Sequence, residues 1–164
     1  MLQHKKVSIA ARDGVFNNVN SMEDLRNEIR RCSIDNVALN VPPASYDPED
    51  DEPFDYHSDR KTYRGDMFEI FVEFLLQAMA NDKEIGVQDA APVPLDEDLG
   101  VDLLGKSTKD YTIVAVQCKF KSNPNHVFSY RELATFMSTA SNLHDAKGRN
   151  QLLITTAVDT DARP

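Results

Sequence analysis

The sequence predicts an α/β domain: a central mixed sheet of four strands flanked by helices, in the order αβββαβ. Three observations lead there. An apolar stripe at helical spacing runs from Phe68 to Met79. Three strand-like stretches follow it, bounded by proline, glycine and aspartate. A second helix with its own capping signal is then succeeded by one more apolar strand.

The first forty residues carry the weakest pattern. Val7 to Ala11 reads as a short strand. Ser21-Met22-Glu23-Asp24 has the form of a capping box, and Leu25, Ile29 and Cys32 follow at helical spacing. The run Val37 to Val41 is stopped by Pro42-Pro43. From Asp47 to Asp59 the chain reads DPEDDEPFDYHSD, an acidic, proline-containing stretch expected to be solvated linker. The main domain is therefore expected over 60–164, with 1–59 an N-terminal segment of helix and linker.

Phe68, Phe71, Val72, Leu75, Leu76 and Met79 follow the i, i+3, i+4, i+7 pattern of a helix. At about 100° per residue, Glu69 falls beside Leu76 on the border of this stripe, and Glu73 falls further toward solvent. The strand-like stretches are Ile85 to Val93, Leu99 to Gly105 and Tyr111 to Lys121. Pro92 and Pro94 make the end of the first an edge or a bend. On the third, Val114, Val116, Cys118 and Phe120 share a core face. Ile113, Ala115, Gln117, Lys119 and Lys121 share the other, which begins apolar and turns polar. Ser129-Tyr130-Arg131-Glu132 is a second capping box, leading into a helix with Leu133, Phe136, Met137 and Ala140 on its apolar face. A polar loop from Asn142 to Asn150 precedes a buried strand, Gln151 to Ala157. The chain then stops at Pro164 without a closing element, which suggests one domain of a longer protein.

With 164 residues, 41% hydrophobic and 27% charged, the chain can bury one core and has no run able to cross a bilayer. Met1-Leu2-Gln3-His4-Lys5-Lys6 is not followed by a signal-peptide core. Cys32 and Cys118 are too far apart in sequence for a metal knuckle and read as free thiols of a reducing, cytoplasmic compartment. His4, His57, His126 and His144 have no ligand spacing, so zinc is not expected. No glycine-rich phosphate loop appears. The net charge of −9 opposes nucleic-acid binding in bulk, although the acidic run accounts for much of it and leaves room for a local basic groove.

If the second and third strands form a hairpin turning at Lys109-Asp110, Leu104 pairs with Ala115 and Asp102 lies opposite Gln117, with Lys119 on the same face. An acid, a neutral acceptor and a cation then meet at one place on the sheet. Such oxygens suit Mg²⁺, with the backbone carbonyl of Cys118 as a further ligand and Glu69 reaching in from the helix. The plain alternative for Asp102, Gln117 and Lys119 is an ordinary exposed strand face, and for Glu69 a solvated helix edge. Asp98 reads as a turn residue before Gly100 rather than a ligand.

Gly65-Asp66-Met67-Phe68-Glu69, Asp98-Leu99-Gly100-Val101-Asp102-Leu103-Leu104 and Val116-Gln117-Cys118-Lys119 resemble the motifs of PD-(D/E)xK nucleases, most closely the Mrr-like restriction endonucleases. The resemblance spans roughly Arg60 to Ala157. It implies a restriction-endonuclease-like fold and hydrolysis of DNA phosphodiesters with Mg²⁺ or Mn²⁺. Asp102, Gln117, Lys119 and Glu69 would be the catalytic residues, and Asp102, Gln117, the Cys118 carbonyl and Glu69 the metal ligands. Lys119 would orient or help deprotonate the attacking water, or neutralise the phosphate. Two departures stand out: Gln117 replaces the usual carboxylate, as the Mrr-like branch tolerates, and Val101 replaces the proline before Asp102. Lys121, Arg131, Lys147 and Arg149 are candidate phosphate contacts, with Tyr130 against a sugar or base; plain solvated surface is the rival reading. Family habit adds a homodimer and a fused helicase or methyltransferase, neither visible in these residues. Two other readings compete: a nuclease-fold module that binds DNA without efficient cleavage, and a protein-interaction domain.

Overall fold

The computed structural model describes residues 2–38, 56–80, 82–93, 100–142 and 151–157. They fall into two units, Met1–Ile70 and Phe71–Pro164, divided inside one helix.

The first unit contains α1 (Leu2–Asp13), α2 (Met22–Ala38) and the first part of α3 (Tyr56–Ala78). The strand expected over Val7 to Ala11 is instead part of α1. Its inward face is mixed: Ile9 and Ala10 are buried, while Lys6 and Asp13, a turn away on either side, form ion pairs. A stripe that includes charge does not register as apolar periodicity. Lys6 Nζ bridges Asp66 at 3.0 Å and Glu69 at 3.2 Å. Burial pulls the Lys6 pKa down, but Glu69 and then Asp66 outweigh it and hold the ammonium above its ordinary value. The Tyr63 hydroxyl donates to Asp13 Oδ2 at 2.6 Å.

The cap of α2 forms as expected: the Asp24 N–H donates to Ser21 Oγ at 3.1 Å, and Leu25, Ile29 and Cys32 are buried. Val37 and Ala38 close α2, so that part of the apolar run before Pro42 is helical; 39–55 lie outside the described residues. Helix α3 opens at Tyr56, within the stretch expected to be linker. Both cysteines are buried, and neither is in a disulfide.

The second unit is organised by a four-stranded sheet, β1 (Val87–Pro92), β2 (Leu103–Ser107), β3 (Ile113–Lys119) and β4 (Gln151–Thr155), in that spatial order. The first three run antiparallel; β3 and β4 are parallel. A parallel neighbour needs a crossover, and α4 (Tyr130–Asn142) supplies it. The mixed sheet and the element order agree with the sequence.

β1 is an edge strand ending at Pro92, where a missing N–H is harmless, and it carries a bulge between Gln88 and Ala91. On β2, a Cβ at Gly105 would lie 2.6 Å from Val87 Cγ1, so the edge strand packs there only because the side chain is absent. The α4 cap is the expected capping box: the Ser129 N–H donates to Glu132 Oε2 at 2.9 Å, and the Glu132 N–H to the Ser129 carbonyl at 3.1 Å. Phe136 and Ala140 of α4 pack with Val101 and Ala115, burying Phe136 for about 1.5–3 kcal/mol. Val114 to Cys118 are all buried, so both faces of β3 are covered. The plain alternative of an ordinary exposed strand face does not hold at Gln117, which is buried.

Candidate active site

The expected register holds within β2 itself: Leu104 pairs with Ala115 and Leu103 with Val116. The turn spans 108–110, with Tyr111 at φ 60° and its N–H on the Ser107 carbonyl at 3.0 Å.

At Asp102 the ladder breaks. Its N–H donates to the Val116 carbonyl at 2.9 Å, one residue short of the expected partner Gln117. Its own carbonyl accepts the Val93 N–H at 3.1 Å, on the β1 side. A regular strand residue presents both groups to one neighbour; presenting them to opposite neighbours marks a local bulge. The same irregularity lets Val101 and Leu104, three residues apart, reach one apolar cluster.

Beyond the bulge the chain leaves β3, and two side chains replace the missing ladder bonds. Asp102 Oδ2 accepts the backbone N–H of Cys118 in a short hydrogen bond. Gln117 Nε2 donates to the Gly100 carbonyl at 2.9 Å. Gly100 itself has φ 89°, and a Cβ there would lie 3.1 Å from Thr135 Cγ2 on α4, so only glycine fits the approach without strain.

The second bond fixes the Gln117 amide, because the reverse orientation would set two acceptors against each other. It leaves Oε1 buried with no hydrogen-bond partner among the described residues, in a residue only 3% exposed. A buried, unmatched amide oxygen costs about 1–3 kcal/mol unless something else satisfies it. Strand alternation locates a neighbouring acceptor. The Lys119 carbonyl faces β4, where it accepts Thr155 Oγ1 at 2.9 Å, so the peptide groups of Cys118 face the Asp102 side. Lys119 follows Gln117 on the same strand face, half-buried, and its ammonium has no partner among the described residues. The donor chemistry at this notch, a carboxylate, an amide oxygen and a peptide carbonyl, is that of a hard divalent cation. Among the described residues no three His, Cys, Asp or Glu side chains gather into a metal cluster.

The other sequence-predicted residues are placed as follows. Glu69 belongs to the first unit, where Lys6 holds it. Lys121 Nζ is ion-paired with Glu132 Oε1 at 2.6 Å and lies 5.0 Å above the Phe128 ring. The Glu132 carboxyl is held far below its ordinary range by Lys121 first, then by the Ser129 backbone and hydroxyl. Tyr130 and Arg131 are exposed at the start of α4. Asp98, Lys147 and Arg149 lie outside the described residues. Sequence reading did not find the Gly100–Gln117 bond; the only signal for it is a glycine two residues before the acid.

Residues 86–162 match the Mrr_cat_2 family, described as restriction endonuclease. The match spans all four strands and α4, with Asp102, Gln117 and Lys119, and begins after α3 and Glu69. The mixed four-stranded sheet with flanking helices is consistent with a restriction-endonuclease-like α/β fold. No curated protein matches, and no solved structure matches. No helix among the described residues is long and apolar enough to cross a membrane.

Proposed function

We propose, starting from the restriction-endonuclease-like stretch at 86–162, that this chain carries a divalent-metal-dependent nuclease that hydrolyses DNA phosphodiester bonds. The observation that supports the reading is the buried Gln117 Oε1, without a hydrogen-bond partner among the described residues, next in sequence to Cys118, whose N–H Asp102 accepts. Asp102, Gln117 Oε1 and the Cys118 carbonyl would hold Mg²⁺ or Mn²⁺. Bound there, the ion supplies charge stabilisation at the phosphate and a lowered pKa for water.

The chain's own residues do the rest. The Cys118 N–H fixes the Asp102 carboxylate, and Gly100 fixes the Gln117 amide, so both oxygens are preorganised. Lys119 places a positive charge beside the phosphate and orients the attacking water. Water oxygen bonds to phosphorus, the P–O bond to the leaving deoxyribose oxygen breaks, and the proton lost by water balances the one the leaving oxygen gains. Tyr130 and Arg131, exposed at the head of α4, offer sugar and phosphate contacts. A larger restriction or DNA-processing protein is the proposed setting.

A second reading has a specific observation behind it. The Asp102 and Gln117 bonds also close the end of the sheet by themselves, as they would in a nuclease fold that binds DNA without cutting it. Incubation with plasmid in Mg²⁺ or Mn²⁺ separates the two. Cleavage that Lys119→Ala lowers by roughly 100-fold or more supports the nuclease. Binding without cleavage under either metal supports the second reading.

A further inference from the structure

The cations of the first unit differ in how they are satisfied. Lys6 holds Asp66 and Glu69, Arg12 holds Asp13, and Arg31 holds Glu28 and Asp35. Arg30, Arg60 and Arg64 hold no carboxylate among the described residues, in a chain with 27 acids and 18 Lys and Arg. They are nonetheless gathered. Arg60 and Arg64 lie one turn apart on the same face of α3. Arg64 Nε donates to Ser33 Oγ at 2.9 Å, and Ser33 Oγ donates to the Arg30 carbonyl at 2.8 Å, so α2 and α3 meet at this point. Arg60 Nε is buried and has no acceptor among the described residues. Burial, then repulsion from Arg30 and Arg60, lowers the Arg64 pKa.

Clustered like charges with a buried, unmatched donor are costly in a free protein. An anion with several oxygens removes both costs, and guanidinium forks match phosphate in particular. Arg30 is exposed and Arg60 and Arg64 are half-buried, so an incoming group can reach them. We propose that Arg30, Arg60 and Arg64, braced by Ser33, form a phosphate-binding site on the first unit that takes a backbone phosphate of DNA. The site lies outside the matched stretch 86–162. It rests on the nuclease reading only for the carrier of the phosphate.

The test uses the full chain in EDTA, so that binding is read without cleavage. Labelled duplex DNA is titrated by fluorescence anisotropy from about 50 to 200 mM salt. The expected result for the combined change Arg30→Gln, Arg60→Gln, Arg64→Gln is a roughly tenfold loss of affinity. The slope of log K against log salt should fall by about 0.9 for each phosphate that the variant no longer neutralises. Lys83→Gln, at an exposed lysine outside both proposed sites, should keep the wild-type slope. If wild type binds no DNA but inorganic phosphate raises its Tm, and not that of the triple variant, the anion site stands and the nuclease reading fails. Wild-type responses of the triple variant to both DNA and phosphate overturn the proposal. Should the triple variant not fold, Arg30→Gln alone decides, since Arg30 is exposed: a shallower slope supports the site, an unchanged one overturns it.

Discussion

Replacing Gln117 by glutamate tests the notch most directly, because it changes one atom's chemistry and almost nothing of its shape. The amide donates to the Gly100 carbonyl at 2.9 Å; a carboxylate cannot, and would face that carbonyl with like charge. The site is 3% exposed, so an ionised, unpaired acid is disfavoured and its folded pKa rises. The penalty has a ceiling, since the acid can instead take up a proton, which also restores a donor toward Gly100. At pH 7 that uptake costs about 1.4 kcal/mol for each pH unit above an unperturbed value near 4.3, or about 3.7 kcal/mol. For a chain of this size the metal-free variant should melt roughly 7–15 °C below wild type.

The sign is set by the raised pKa: the deficit is absent below about pH 4, where both states are protonated, and grows as pH rises. Added Mg²⁺ should recover more Tm in the variant than in wild type, because a carboxylate is the stronger ligand; a concentration of 100 Kd contributes about 2.7 kcal/mol. Thermal melts in EDTA and in MgCl₂ from pH 4 to 8 check this. Equal metal-free stability of variant and wild type at pH 7, or equal Mg²⁺ increments, would refute this placement of Gln117.

Three further outcomes follow from the same geometry. Lys119→Ala, whose ammonium has no partner among the described residues, should change stability by less than about 1 kcal/mol while removing cleavage, read by paired melts and plasmid assays. Gly100→Ala places a Cβ 3.1 Å from Thr135 Cγ2 at φ 89°; a loss of about 1–2 kcal/mol in urea unfolding is expected, and wild-type stability would contradict it. Glu132 has a lowered folded pKa, so its stabilising effect is present above its unfolded value and lost as pH falls. Glu132→Gln should therefore melt below wild type at pH 7, with the gap closing toward pH 3.

Much of the second unit was legible because its signals are local. Alternation gave β3, Pro92 gave an edge strand, and Ser129 with Glu132 gave the start of α4. What escaped reading depended on partners distant in sequence. Helix α1 hid because Lys6 and Asp13 occupy its inner face, and their value appears only when Asp66, Glu69 and Tyr63 arrive from α3. The closed face at Gln117 was hidden because alternation reports which residues share a side, not whether the far side is covered. The bulge at Asp102 breaks the period-2 rule on which the register rested, although Leu104 and Ala115 do pair.

That bulge also bears on why an amide stands at position 117. Where β2 leaves β3, the Gly100 carbonyl needs a donor, and the Gln117 side chain supplies it from inside the sheet. A carboxylate offers only acceptors and would lose this bond to Gly100; a lysine or arginine offers only donors and would bring positive charge to the notch. On the proposed reading an amide would do both tasks at once, donating through Nε2 to Gly100 while its Oε1, without a partner among the described residues, would be left for a cation. Under that proposal the neutral residue would give up some metal attraction and gain a geometry set before an ion arrives.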